Sequence, residues 1–430
     1  MKSVFKKIIS ATIQLEASLV LKKYKPKIIA VTGSVGKTSS KDAIFSVMSG
    51  SFYVRKSEKS FNSDIGIPLT ILGVQNAWTN PIIWLKNIFM GIELLIFKNN
   101  YPKWLVLEVG ADRPKDIKNI TRWLKPDIAV LTAFAEVPVH VEFFSNREEV
   151  IREKKYLVEA LKKDGILVVN GDDTDSMKIK ENLKSTSIIY GTSKNADLIA
   201  SDYKIYYGTD GKAKGITFKV EYDRNILSIV IKDSLGMQNV YSALAGLAVA
   251  QSQKINLTDA SRALLNHETP KGRMRIINGI KNTTILDDTY NSSPTAVNSA
   301  LQTLKEIKTK GRKIAVLGDM MELGKHSVEE HFKIGKLAKD SCDVLITVGI
   351  RSRKIAESAY KTKMSKKNIF QFDNSMEARE KISDLIQKND IILVKGSQFI
   401  RMERIVKEIM AEPEKAKELL IRQEEEWEKK

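Results

Sequence analysis

One cysteine, Cys342, stands among 430 residues, so the chain can form neither an internal disulfide nor a multi-cysteine metal centre. No segment joins a basic start, an apolar core and a small-residue cleavage site, and a reducing, cytoplasmic setting is expected. Nowhere do about 20 predominantly apolar residues run together, so neither of the two greasiest stretches, 1–27 and 82–97, reads as a membrane span. Aromatic residues make up only 7% of the chain, they are not interleaved with the basic ones as a stacking platform, and no groove-reading motif appears. Nucleic acid is therefore set aside as a partner. Internal repeats and low-complexity tracts are also missing.

What is present is the composition of a soluble protein with two or three cores: 43% hydrophobic, 28% charged, net charge +18. Residues 1–60 hold 12 Lys/Arg against 3 Asp/Glu, which calls for anionic partners such as nucleotide phosphates or an anionic membrane surface. Two segments bear on the second. Residues 1–27 set lysines around an apolar middle, and Ile82 to Phe97 is apolar except for Lys86, Asn87 and Glu93. One reading is an interfacial anchor making peripheral membrane contact. The other is that the segments pack on each other or on a neighbouring subunit. Trp78, Trp84 and Trp104 suit either an interface belt or a plain core.

The most telling run is Thr32-Gly33-Ser34-Val35-Gly36-Lys37-Thr38-Ser39, between the apolar stretch Ile28–Val31 and a helix-like one from Lys41 to Met48. Glycines let the backbone curl so that N–H groups face a phosphate. The helix N-terminus adds partial positive charge, and Lys37 and Thr38 are placed for terminal phosphates and Mg²⁺. ATP or GTP is the expected ligand. The spacing departs from the usual Walker pattern, which has a glycine where this chain has Val31.

Val/Ile-rich runs alternating with helical patterns predict an α/β fold with a largely parallel sheet. Strands are expected at 28–32, 104–109, 127–132 and 165–169, an antiparallel patch over about 186–232, and a helix from Gln238 to Gln251. Turn chemistry at Thr269-Pro270-Lys271-Gly272 marks a boundary, after which strands are expected near 283–287, 312–317, 343–348 and 390–394. The division expected is a basic amphipathic helix at 1–27, a P-loop ATPase domain at 28–268 with an apolar insertion at about 74–102, a Rossmann-like α/β domain at 269–411, and a charged, solvated helical tail at 412–430. Glu108, closing the run Trp104–Leu107, would emerge beside the phosphate loop at the carboxyl edge of the sheet, where a carboxylate can hold Mg²⁺.

In order along the chain, TGSVGKTS (32–39), FNSDIGIPLT (61–70), LEVGAD (107–112), His140-Val141-Glu142, Lys154, VVNGDD (168–173), QNVYSALAG (238–246), PKGRM (270–274), LDDTYNSSP (286–294), VLGDMMELG (316–324) and VKGS (394–397) resemble the ATP-dependent Mur ligase family. Tyr290-Asn291-Ser292 followed by Pro294 is similar to the branch that adds D-alanyl-D-alanine to a UDP-N-acetylmuramoyl-tripeptide in peptidoglycan precursor synthesis. The resemblance implies ATP-driven formation of an acyl phosphate and its capture by an amine, with ADP and phosphate released. It implies that Gly33, Ser34, Gly36, Lys37, Thr38 and Ser39 hold the phosphates, that Thr38, Glu108, His140 and Lys154 serve two Mg²⁺ sites, and that Lys154 does so as a carbamate, with Lys155 the neighbouring alternative. It further implies Asn239 at the adenine, Arg273 at the phosphates, Asp288 at the ribose, and Asn291, Lys395 and Ser397 toward the incoming dipeptide. Lys37, His140, Lys154 and Arg273 are the catalytic set so implied.

Where family members carry a uridine-nucleotide-binding domain before the loop, about 27 residues stand here, and the expectation is a version without that domain. Gln238 replaces the family's histidine and Gln398 its arginine after Lys-Gly-Ser, with Arg401 a candidate replacement. Two other functions stay open: the same chemistry on another carboxylate and amine, such as other cell-wall peptides or polyglutamate-like substrates, or a non-catalytic nucleotide-binding scaffold at the membrane.

Overall fold

The computed structural model describes residues 3–58, 61–78, 80–137 and 143–428, with side chains from Ile8 to Trp427. Nine strands build the first sheet: β1 (Lys27–Thr32), β2 (Val54–Lys56), β3 (Trp104–Glu108), β4 (Ile128–Leu131), β5 (Ile166–Asn170), β6 (Thr186–Gly191), β7 (Leu198–Tyr207), β8 (Ala213–Tyr222) and β9 (Asn225–Lys232). Their spatial order is β2-β3-β1-β4-β5-β6-β7-β8-β9. Strands β1, β3 and β4 are continuous apolar runs because both faces are covered. The expected antiparallel patch begins later than the sequence suggests. β6 runs parallel to β5 and β7, and only β7, β8 and β9 pair antiparallel.

Helices flank this sheet: α1 (Ser3–Tyr24), α2 (Lys37–Ser49), α3 (Gly66–Leu72), α4 (Pro81–Ile96), α5 (Asp116–Ile120), α6 (Arg147–Glu159), α7 (Thr174–Glu181), α8 (Met237–Ser252) and α9 (Leu257–Leu265). The small residues of α8 bring it against α2 so closely that a Cβ on Gly246 would lie 3.2 Å from the Ala43 carbonyl oxygen. That contact fixes α2, and with it the phosphate loop, over the sheet.

The second sheet comprises β10 (Arg275–Asn278), β11 (Thr284–Asp288), β12 (Lys313–Gly318), β13 (Val344–Val348), β14 (Ile369–Phe372) and β15 (Ile391–Lys395), ordered β10-β11-β15-β12-β13-β14. All its pairs are parallel except β10 with β11. Helix α10 (Pro294–Glu306) starts from Ser293, whose hydroxyl accepts from Ala296 N, with proline at the first helical position, where its missing N–H costs nothing. The carboxyl ends of β1, β3, β11 and β15 face one cleft.

The charged tail is not a solvated helix. It is broken into a turn at Pro413–Lys415 and short helices Ala416–Leu419 and Glu425–Glu428, and Ala416, Leu420 and Arg422 are buried. Its few apolar residues have a core to pack on, which charge content alone does not reveal. Helices α1 and α4, which lie within the segments 1–27 and 74–102, pack on each other. Trp84 and Trp104 are core residues, whereas Trp78 stands at the cleft mouth, edge to face with Trp427 at 6.4 Å between ring centres.

Candidate active site

The phosphate loop leaves β1 at Thr32 and turns at Gly33, whose φ is 144° and whose hypothetical Cβ would lie 1.9 Å from Thr132 Oγ1. Only glycine fits there. Ser34 N and Val35 N donate to Ala133 O at 2.7 and 3.2 Å, which ties the loop to the end of β4. Gly36, at φ 84°, opens α2, and a helix N-terminus at the loop favours an anion there. Ser39 is buried in that turn. The Lys37 ammonium donates back to Gly33 O at 2.9 Å. Desolvation lowers its pKa, against an upward pull from Glu108.

Register explains how a second strand completes the site. Val31 of β1 pairs with Glu108 of β3, so the Glu108 carboxylate reaches the loop from the side. Thr38 Oγ1 donates to Glu108 Oε2 at 2.8 Å, and Asn62 Nδ2 donates to Oε1 at 3.3 Å. A hydroxyl and a carboxylate at a phosphate loop are oxygen donors suited to Mg²⁺, which takes one or two carboxylates together with substrate phosphates. The residues present therefore fit a magnesium ion.

Lys154 lies on the buried face of α6, 4% exposed. Burial lowers its pKa to about 7, helped by the Lys37 ammonium and opposed by Glu153 and Asp112. The neighbouring Lys155 points outward and pairs with Glu159 at 3.2 Å. The buried Glu153 carboxylate accepts from Lys115 N at 2.8 Å and Lys118 N at 3.0 Å, so α6 is locked to the start of α5 and Lys154 is held inward. His140 lies outside the described residues. Among those described, no group of three or more His, Cys, Asp or Glu could hold a metal by itself.

The second sheet supplies the facing wall. The Arg273 guanidinium lies over the Tyr290 ring at 4.1 Å, and its buried Nε has no hydrogen-bond partner among the described residues. Together with Lys37, Thr38, Glu108, Asn291 and Ser397, it lines a cavity of about 380 Å³. A second cavity, of about 440 Å³, shares Asn62 and Asp112 with the first and is bounded by Ser10 of α1. A third, of about 730 Å³, runs from Thr38 and Tyr290 to Trp78, Arg422 and Trp427.

Six of the described expected site residues are not on the wall of the first cavity: Gly33, Ser39 and Lys154, placed above, and Asn239, Asp288 and Lys395. Asn239 is buried, its Nδ2 donating to Ser234 Oγ at 2.6 Å and Leu235 O at 2.8 Å. Asp288 pairs with buried Lys395 at 2.7 Å, and the same ammonium donates to Asn291 O at 2.9 Å, so this ion pair shapes the turn that carries Asn291. Arg401 does not stand in for the missing arginine: it is held by Glu403 at 2.5 Å and by Trp427 O at 2.6 Å. Gln398 and Phe399 line the cavity there instead. The sequence reading left Asn62, Asp112 and Tyr290 without roles, although all three lie in the quoted motifs. Arg422 and Trp427 carried no sequence signal at all.

Residues 87–250 match the Mur ligase middle domain and residues 272–398 the Mur ligase glutamate ligase domain, together more than half of the chain. The chain is 29% identical over 403 residues to the UDP-N-acetylmuramoyl-tripeptide--D-alanyl-D-alanine ligase of Bacillus subtilis, covering 93% of this chain and 79% of that protein. It is 26% identical over 395 residues to the Escherichia coli protein of the same name, covering 91% and 78%. The solved structure of the Thermotoga maritima MurF ligase in complex with ADP superposes with a TM-score of 0.75 at 24% identity, covering 94% of this chain and 84% of that one, and so shares the fold. A phosphate loop facing an arginine across two α/β sheets, in a chain matched by both domain models, leads to one conclusion: the chain belongs to the Mur ligase family of ATP-dependent, ADP-forming ligases.

Proposed function

We propose that this chain joins D-alanyl-D-alanine to a UDP-N-acetylmuramoyl-tripeptide at the expense of ATP, in the synthesis of peptidoglycan precursor. A carboxylate is a poor electrophile. Attack of its oxygen on the γ-phosphorus, with ADP leaving, makes an acyl phosphate; the dipeptide amine then adds to the acyl carbon, and the tetrahedral adduct expels phosphate. Lys37 holds the β- and γ-phosphates, and Arg273 faces them across the cavity, where its unpaired Nε is available to a phosphoryl oxygen. Mg²⁺, when bound, neutralises phosphate charge; Thr38 and Glu108 would hold one ion, and His140 with a carbamate on Lys154 a second. A lysine whose pKa is lowered to about 7 has about half of its population as free amine at neutral pH, the form that CO₂ modifies. Asn291 and Ser397 are the candidates for contact with the dipeptide.

The observation that carries this reading is the single cavity lined from one side by Lys37, Thr38 and Glu108 and from the other by Arg273, Asn291 and Ser397. Positioning and charge neutralisation are what the reaction requires of the protein. The test is incubation with ATP, Mg²⁺, D-alanyl-D-alanine and UDP-N-acetylmuramoyl-tripeptide, with mass detection of the product. Absence of both product and ADP would sink it. The neutral Gln398 in the cavity wall favours a second reading, another carboxylate and amine pair, which ADP release with other acceptors alone would select. A cytoplasmic setting with peripheral membrane contact through 1–27 and 74–102 belongs to the same proposal.

A further inference from the structure

Helices α1 and α4 form a tightly keyed pair. The Lys23 ammonium of α1 donates to Leu94 O, Leu95 O and Phe97 O at 2.9, 3.0 and 2.5 Å, satisfying the orphan carbonyls at the end of α4. Glu16 of α1 sits so close to Gly91 that a Cβ there would come within 2.2 Å of its carboxylate. The inward residues of α1 are Ile13, Ala17 and Val20, and those of α4 are Trp84, Asn87 and Gly91.

The outward faces are the anomaly. Eleven of the 22 exposed large hydrophobic side chains among the described residues come from α1 and from α4 with its cap. Ile82, Leu85, Phe89 and Ile96, between 54% and 76% exposed, recur at helical spacing along the outer side of α4, and Leu15 and Leu19 are exposed on α1, which packs on α4. Exposed apolar side chains gathered on two packed helices mark an interaction surface. At 16 residues α4 is about 24 Å long, short of a bilayer core of about 30 Å. No helix among the described residues is long and apolar enough to cross a membrane.

Charge identifies the occupant. Segments 1–27 and 81–103 carry ten lysines against two glutamates, and one of the two, Glu16, is turned inward and buried. Lys22, Lys25, Lys86, Lys98 and Lys103 of these segments are exposed. A second copy would bring two lysine-rich segments together and is disfavoured by their repulsion. An apolar stripe on lysine-rich segments fits the headgroup region of an anionic bilayer. We propose that α1 and α4 together are a docking surface for an anionic lipid membrane, lying in its interface. Because Ser10 of α1 bounds the cavity that shares Asn62 and Asp112 with the reaction cavity, docking sets one mouth of the active site beside the lipid surface. The inference deepens the membrane-contact part of the proposed function and is independent of which carboxylate and amine are joined.

The experiment is flotation of the full chain with phosphatidylcholine vesicles prepared with and without phosphatidylglycerol. Flotation only with the anionic vesicles, reversed by salt, is expected. Phe89→Ser with Ile96→Ser should abolish it, and Lys98→Gln or Lys22→Gln should each lower partitioning about fivefold. These side chains are exposed, so unchanged melting temperatures are expected and are measured alongside. Failure to float with either vesicle, equal flotation with phosphatidylcholine alone, or a concentration-dependent dimer abolished by Phe89→Ser in a chain that binds no vesicle would each overturn the proposal. Ligation measured in the same preparations without vesicles keeps the two readings separate: its absence with flotation intact removes only the substrate assignment.

Discussion

The Thr38 hydroxyl and the Glu108 carboxylate, 70 residues apart in sequence, meet at 2.8 Å where β3 ends beside the phosphate loop. The pair forms one oxygen-donor unit at the phosphates, and its members should not act independently. Thr38→Ala and Glu108→Gln should each lower the rate of ADP formation about 100-fold. The double variant should fall well short of the product of the two effects, since neighbouring groups in one network are non-additive. Full additivity in steady-state assays would mean that the two side chains serve separate roles.

Lys154 and Lys155 offer a contrast within one dipeptide. Lys154→Ala should lose most activity and regain part of it with added short-chain carboxylates, whereas Lys155→Ala should stay within about twofold of the parent, as expected for loss of an exposed ion pair. With the Lys154 pKa lowered to about 7, the free amine accumulates as pH rises through 7, rather than near the ordinary value of 10.5. Activity at fixed CO₂ should climb through that window. A flat profile between pH 6 and 8 (about one unit on either side of the midpoint) would contradict the carbamate.

The tail is expected to be part of the folded unit. Glu403, fully buried, is shared by Arg401 at 2.5 Å and Arg422 at 3.1 Å, and Arg422 also donates to Thr289 O and Tyr290 O. Arg422→Ala leaves a buried carboxylate half-paired and should cost about 3–5 kcal/mol in urea unfolding. A loss below about 1 kcal/mol, the range of exposed ion pairs, would mean that the tail is only draped on the surface.

Burial raises the pKa of Glu16 from 4.5 to about 7, and among the described residues its Oε2 has no hydrogen-bond partner. Between those two values the folded state binds the proton that the unfolded state has released, so stability falls as pH rises from about 4.5 to 7. Glu16→Gln removes this dependence. Thermal melts should show the variant more stable than the parent at pH 8 and close to it at pH 4 (either side of the linkage window); an unchanged difference across pH would refute the assignment.

Much of the scaffold was readable from local chemistry. The strands expected at 28–32, 127–132, 283–287 and 343–348 fall within one residue of β1, β4, β11 and β13, because fully buried parallel strands are unbroken apolar runs. The phosphate loop was readable for a similar reason: glycines at fixed offsets before a Lys-Thr pair are a backbone requirement written in sequence. The tail was misread because 412–430 is mostly charged, and its few buried residues, such as Leu420, follow no helical period. β6 was misread because its short alternation looks the same whichever direction its partner runs.

By itself, the sequence determined where strands, glycine turns and helix starts occur, since steric limits and hydrophobic spacing act over a few residues. It also placed the chemical groups in order along the chain. Only the tertiary structure decided that Lys154 is buried while Lys155 is solvated, that Asp288 is engaged by Lys395, and that α1 and α4 turn their polar keys inward and their apolar stripes outward. Burial and electrostatic environment are set by which distant surfaces meet, and those meetings depend on the packing of α2 on α8 and of one sheet edge over the other.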